Sequence, residues 1–172
     1  MNITFTLPDG SKFTKLINGI KELENTEPLM ARISGLLDYY IEENFMREGR
    51  PVKWKPLSAL YAEQKRKERG NTKILQSSGA LKRSIVQSYG KLYAAVSTNK
   101  EYARIHHFGG VIRPKPGRRD RSGGKRAALK FGGRYFRSAN IPARPFMTVT
   151  DGDKEEILTE IQDYIAKKLG LK

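Results

Sequence analysis

Apolar residues recur at helical spacing through "EPLMARISGLLDYYIEENFMREG", where Leu29, Ile33, Leu36, Leu37, Tyr40, Ile41 and Phe45 share one face. Thr26 stands at the N-cap position, Pro28 suits the first turn and Gly49 supplies a stop, so this stretch predicts a long early helix. A second stripe of Ile157, Ile161, Tyr164, Ile165 and Leu169 predicts a C-terminal helix from about Asp153. Asp151 and Asp153 read as first-turn charges favoured by the helix dipole.

Between these helices the patterns are shorter. Ile3, Phe5 and Leu7 alternate ahead of Pro8-Asp9-Gly10, a hairpin signal. "RPVKWKPLSALYAEQKRKERGN" begins extended and becomes a polar helix from Ser58 to about Glu68, ended by Gly70. Trp54, just before it, caps the core beside the long helix or, with Tyr61, anchors a partner. "ILQSSGALKRSI" offers a serine cap and a short helix with Leu81 and Ile85 inward. "IVQSYGKLYAAVST" predicts two strands around Tyr89-Gly90-Lys91, with Leu92, Ala94 and Val96 on one face. In "EYARIHHFGG" a brief helix puts Tyr102, Ile105 and Phe108 together. Strand-like runs return at "AALKFGG" and "PFMTVTD". The prediction is one α+β domain over residues 1–172. A small antiparallel sheet is packed by the early and C-terminal helices, and an exposed, mobile basic loop occupies about 112–126.

Composition narrows the function. With 172 residues, 38% hydrophobic and 30% charged, the chain has the make-up of a globular domain. It has no cysteine, hence no disulfide framework, thiolate nucleophile or zinc ribbon, which suits a reducing cytoplasm. "MNITFTLPDGS" lacks the basic and apolar regions of a signal peptide, and no apolar run matches a bilayer. The expectation is a soluble intracellular protein without a membrane role.

The formal charge of +15 attracts polyanions and is unevenly spread. Arg113, Lys115, Arg118, Arg119, Arg121, Lys125, Arg126, Lys130, Arg134, Arg137 and Arg144 lie between Ile112 and Arg144, with Asp120 the only acid. This tract has three readings: phosphate contacts with nucleic acid, docking on an acidic protein surface, or a solvated linker.

Catalytic chemistry finds little support. The only histidines, His106 and His107, are adjacent, so on a helix they point about 100° apart and do not chelate one ion as an i, i+4 pair does. One imidazole is expected to pack beside Tyr102 or bond to backbone while the other meets solvent. No GxSxG elbow, phosphate loop or partnered general base is present. No catalytic, metal or cofactor-binding residue is assigned.

Four patterns in order carry a resemblance: "WKPLS" with Trp54, "KILQSSGALKRSI", "EYARIHHFGG" and "IPARPFMTVTDGD". Together they resemble the phage virion morphogenesis family, which includes tail completion proteins of contractile-tailed phages such as P2 and Mu. The motif positions carried over are Leu75, Gly79 and Leu81; Tyr102, Ala103, His106, Phe108 and Gly109; and Pro142, Arg144, Pro145 and Phe146. They read as fold-defining turns and core anchors. The prolines of "IPARPF" favour strand entry, with Arg144 pairing to a carbonyl or an acid to fix the strand start.

The resemblance implies a non-enzymatic assembly protein of a phage or prophage, acting in tail completion or at the head-tail junction as an oligomeric ring. Implied partners are other virion tail or neck proteins, further copies of the chain, and DNA in non-specific contact. Its place is the virion, assembled in the bacterial host cytoplasm. The alternative is a nucleic-acid-binding module using the basic segment 112–144. "MTVTDGD" departs from the leucine-glycine-serine transition of many relatives.

Overall fold

The computed structural model describes residues 2–4, 26–114, 129–131 and 134–168. The first helix, α1, runs Glu27–Met46 and buries Leu29, Ile33, Leu37, Tyr40, Ile41 and Phe45, the predicted stripe with Leu36 at its margin. One side of α1 lies on a three-stranded antiparallel sheet of β1 (Asn2–Thr4), β2 (Ile85–Gly90) and β3 (Tyr93–Thr98), ordered β1-β3-β2. β2 and β3 form a hairpin in register from Ile85↔Thr98 to Gly90↔Tyr93. Leu92 therefore falls in the turn and is exposed, while Ala94, Val96 and Thr98 are buried.

Helix α4, Asp151–Lys168, buries Ile157, Ile161 and Tyr164 and packs on α1. Arg32 donates to Glu160 across this pair at 2.8 Å. At the other end Arg50 makes two 3.0 Å hydrogen bonds to the Asp153 carboxylate. Asp153 also completes a capping box: its Oδ2 accepts from Thr150 N, and Thr150 Oγ1 accepts from Asp153 N. A buried ion pair and cap thus add to the dipole role read from sequence.

The α+β architecture is the expected one, and several local readings change. Thr26 makes no side-chain cap; its Oγ1 donates to the Lys91 carbonyl and ties α1 to the hairpin turn. Gly49 lies beyond the end of α1 at φ +109, where a Cβ would sit 2.5 Å from the Val52 oxygen. The polar helix α2, Ala59–Arg69, has Ser58 as N-cap and left-handed Gly70 as C-cap. "ILQSSGALKRSI" forms only a 3₁₀ turn over Lys82–Ser84, because Ile85 already opens β2.

Helix α3, Ala103–Phe108, leads into β4 (Gly110–Ile112), which pairs with β7 (Ala139–Ile141). β5 (Leu129–Phe131) pairs with β6 (Arg134–Phe136). The expected "PFMTVTD" strand is absent. β7 ends at Ile141, Pro142 has no N–H to extend the ladder, and residues 142–150 form neither strand nor helix. Asn44 Nδ2 holds that run instead, donating to Phe146 O at 2.9 Å and Thr148 O at 2.8 Å. The N-terminal hairpin beyond Thr4 lies outside the described residues, as do 115–128 of the basic loop; Ile112, its expected start, belongs to β4.

Candidate functional site

Helix α3 faces the core differently from its apolar stripe. Ala103 and His107, spaced by one turn, are its buried positions. Tyr102 and Phe108 are 42% and 63% exposed, so they are not the core anchors expected of them. With Ile105 they form a helical stripe too, but it faces away from the core. Phe108, Ile105 and Gly109 border a shallow hollow with Glu101 and Arg104. Gly109 ends the helix at φ +75, pressed so closely on the next segment that a Cβ would stand 2.7 Å from Ala143 N.

Both histidines are built into the fold. Met147 N donates to His107 Nδ1 at 3.5 Å, and the His107 ring meets Phe146 edge-on at 5.4 Å. His106 packs edge-on to Tyr102 at 5.9 Å, and its carbonyl accepts from Arg144 N at 2.9 Å. The two imidazoles differ as expected in part: His107 is buried and bonded to backbone, while His106 is half-buried at the cleft beside Tyr102. His106 Nδ1 is itself buried without a hydrogen-bond partner. Burial pushes both imidazoles below the ordinary histidine value, and the nearby Arg144 adds to the effect at His106.

Arg144 is only 6% exposed. Its Nε and Nη2 donate to Lys55 O at 3.1 and 2.9 Å, with Pro56 O at 3.4 Å from Nη2. It fixes no strand start, since β7 has already ended; it braces the 142–150 run to the chain before α2. Beside it Trp54 Nε1 donates to Pro145 O at 3.0 Å, and Phe45 lies between Trp54 and Phe146, 5.9 and 5.4 Å away. Trp54 is therefore a buried core residue.

These contacts enclose a cleft of about 330 Å³. Among its lining residues are Leu57, Leu75, Gly79, Leu81, Tyr102, His106 and Arg144, drawn from all four sequence patterns. Leu75 and Gly79 turn the chain around it at φ +58 and +72. Gly109, at the end of α3, and Pro142, Pro145 and Phe146, on the run that packs against it, lie outside the lining. Arg113 is exposed after β4, whereas Lys115, Arg118, Arg119, Arg121, Lys125 and Arg126 lie outside the described residues.

Two further residues escaped the sequence reading, Lys65 in the lining of the cleft and Glu48 outside that lining. Lys65 is 3% exposed and its Nζ donates to the Lys73 carbonyl. Glu48 accepts from Ile74 N at 2.6 Å and is the acid whose charge opposes the loss of protons from Lys65 and Arg144. Burial lowers the pKa of both cations. The available signal was Tyr61 and Lys65, one turn apart on a helix otherwise read as polar, with Leu57 just ahead of its N-cap. Among the described residues no group of three or more His, Asp or Glu side chains is placed to hold a metal ion.

A model of the phage virion morphogenesis family matches residues 10–169. The Mu-like prophage FluMu G protein 2 of Haemophilus influenzae is 36% identical over 137 residues, 80% of this chain and 76% of that protein. The putative capsid assembly protein G of Escherichia phage Mu is 31% identical over 56% of this chain and 49% of its own length. An uncharacterized protein of Methanocaldococcus jannaschii is 29% identical over 75% of this chain and 81% of its own. No solved structure gives a significant match.

Proposed function

The chain belongs to the phage virion morphogenesis family, and from that membership we propose that it is a non-catalytic structural factor of tail completion or the head-tail junction, working as an oligomeric ring. The observation carrying this reading is the family match over residues 10–169. The chemistry of the cleft agrees with it. Its arginine and lysine are bound to backbone carbonyls, and its histidine is partly enclosed among apolar side chains. Such contacts brace a fold.

The ring follows from setting and charge. Head-to-tail contacts that close around an axis give cyclic symmetry. A net +15 disfavours like-on-like contact, so copies would meet basic surface to acidic surface, and α4 offers the exposed Glu155 and Glu156. The tract from Arg113 to Arg126 then contacts DNA non-specifically through phosphates. Assembly takes place in the host cytoplasm with other tail or neck proteins as partners. Among the described residues no helix is long and apolar enough to cross a membrane.

The test is deletion of the gene from its phage or prophage, with electron microscopy of the lysate. Separate heads and tails, rejoined on complementation, are the expected result; intact particles without the gene would overturn it. Native mass spectrometry reads the ring: a closed oligomer supports it, and a monomer at high concentration removes it. For the basic tract, serine at Arg118, Arg119 and Arg121 should weaken binding to duplex DNA and flatten its salt dependence by about 0.9 per lost phosphate contact. A gel shift unchanged by the substitutions would exclude DNA contact through them.

A further inference from the structure

The cleft holds more positive charge than the structure neutralises. Lys65 and Arg144 are both almost fully buried in its wall, and Glu48 is the acid facing both. The hydrogen bonds they make end on carbonyls, of Lys73 for Lys65 and of Lys55 and Pro56 for Arg144. A carbonyl satisfies a donor without cancelling a charge, and both side chains have more donors than these bonds use. His106 Nδ1 adds a buried polar atom with no partner. Burying cations this way is costly unless an anion meets them.

The rest of the cleft sets the form of that anion. Leu57, Leu75, Ala80 and Leu81 make its walls apolar, Tyr61 and Tyr102 stand beside them, and exposed Ser77 and Ser78 lie at the margin. A volume near 330 Å³ is at the small end of ligand sites, room for a few side chains and not for a helix or a duplex. We propose that this cleft docks an extended segment of a partner protein that inserts a carboxylate beside an apolar side chain. The carboxylate lies against Lys65 and Arg144, and the apolar side chain against the leucines. That the segment comes from a virion protein rests on the assembly reading; the chemistry of the cleft does not.

The test uses two blocked peptides, Ac-Gly-Leu-Glu-Leu-Gly-NH2 and its glutamine counterpart, titrated into the ¹⁵N-labelled full chain by NMR, with the hexanucleotide dT6 as a third probe. The acidic peptide should shift the signals of Tyr61, Leu81, Tyr102 and His106 with a dissociation constant on the order of 1 mM. The glutamine peptide should bind about tenfold more weakly, the loss of one charge-assisted contact. Ser77→Trp blocks the margin from an exposed position, and Lys65→Met keeps the buried stem without the charge; each should abolish the shifts while the remaining spectrum stays folded. Equal binding of the two peptides, shifts centred elsewhere, or dT6 displacing the peptide from the same residues would each overturn the proposal. The two readings fail separately. Absence of peptide binding leaves family membership and the deletion experiment untouched, whereas intact particles without the gene leave the peptide result standing.

Discussion

Arg50 and Arg144 are both drawn out of solvent, one where α1 meets α4 and the other beside the cleft, and different groups satisfy them. The Arg50 side chain, 15% exposed, lies on an Asp153 carboxylate that is 8% exposed, with Asn44 and the Tyr40 carbonyl completing its shell. Arg144 meets carbonyls of Lys55 and Pro56, and shares Glu48 with Lys65 at longer range. The first region is closed: charge meets charge, and the contact joins two helices into a core. The second is open: its cations are held in place, their charge is not cancelled locally, and a cleft lies in front of them. A buried ion pair finishes a fold, and a buried cation held only by carbonyls leaves it able to receive something.

Substitution by methionine separates the two arginines most sharply. Arg50→Met strands the Asp153 carboxylate inside the helix junction, and breaking a buried pair from one side costs about 3–5 kcal/mol. Arg144→Met strands only neutral carbonyls, a loss of about 1–3 kcal/mol. Urea unfolding of both variants measures the difference. Equal losses would mean that the Arg144 site carries an ionic partner comparable to Asp153, and the contrast between closed and open regions would fall.

The closed region was the more legible in sequence. Leu29 to Phe45 and Ile157 to Tyr164 repeat at helical spacing because each helix buries one continuous face, and a periodic face is a local signal. Ser58 and Gly70 marked the ends of α2 for the same reason, since capping chemistry sits within one turn. The cleft is assembled from Leu57, Leu75, Leu81, Tyr102 and Arg144, segments brought together only by the tertiary fold. The resemblance picked out several of these residues without saying that they face one another. Asn44 shows the limit well: polar and in the last turn of α1, it gives no sign that it replaces a strand ladder for residues 146–148. In "EYARIHHFGG" two stripes compete, Tyr102-Ile105-Phe108 and Ala103-His107, and the more apolar one faces outward. Period alone does not choose between them, because the choice depends on where Phe146 and Met147 pack.

Acid should affect the open region through its histidines. Both have pKa values below the ordinary 6.5 because burial disfavours the imidazolium. The unfolded chain therefore takes up protons first as pH falls. The contribution to stability is complete above the unfolded value and is lost from about pH 6.5 downward toward the depressed folded values. The slope in that window is at most about 1.4 kcal/mol per pH unit for each histidine. Urea midpoints measured between about pH 8 and pH 5 should decline only in the lower half of that range. His107→Gln, whose amide oxygen can accept from Met147 N in place of Nδ1, should roughly halve the slope. An unchanged slope would assign the acid sensitivity to His106 or to the carboxylates instead.

The smallest effect tests the outward face of α3. Phe108 is 63% exposed, so Phe108→Ser should change stability by no more than about 0.5 kcal/mol, the range of a surface substitution. A core anchor at that position would cost several times as much, since truncating a buried phenylalanine typically costs about 3–5 kcal/mol. The same variant is informative in the phage. Phe108 stands beside Ile105 and Arg104 around the shallow hollow, away from the cleft. A stable Phe108→Ser protein that no longer supports particle assembly would place a second contact surface on this helix. Normal assembly together with unchanged stability would leave the cleft as the partner-facing feature of the α3 region.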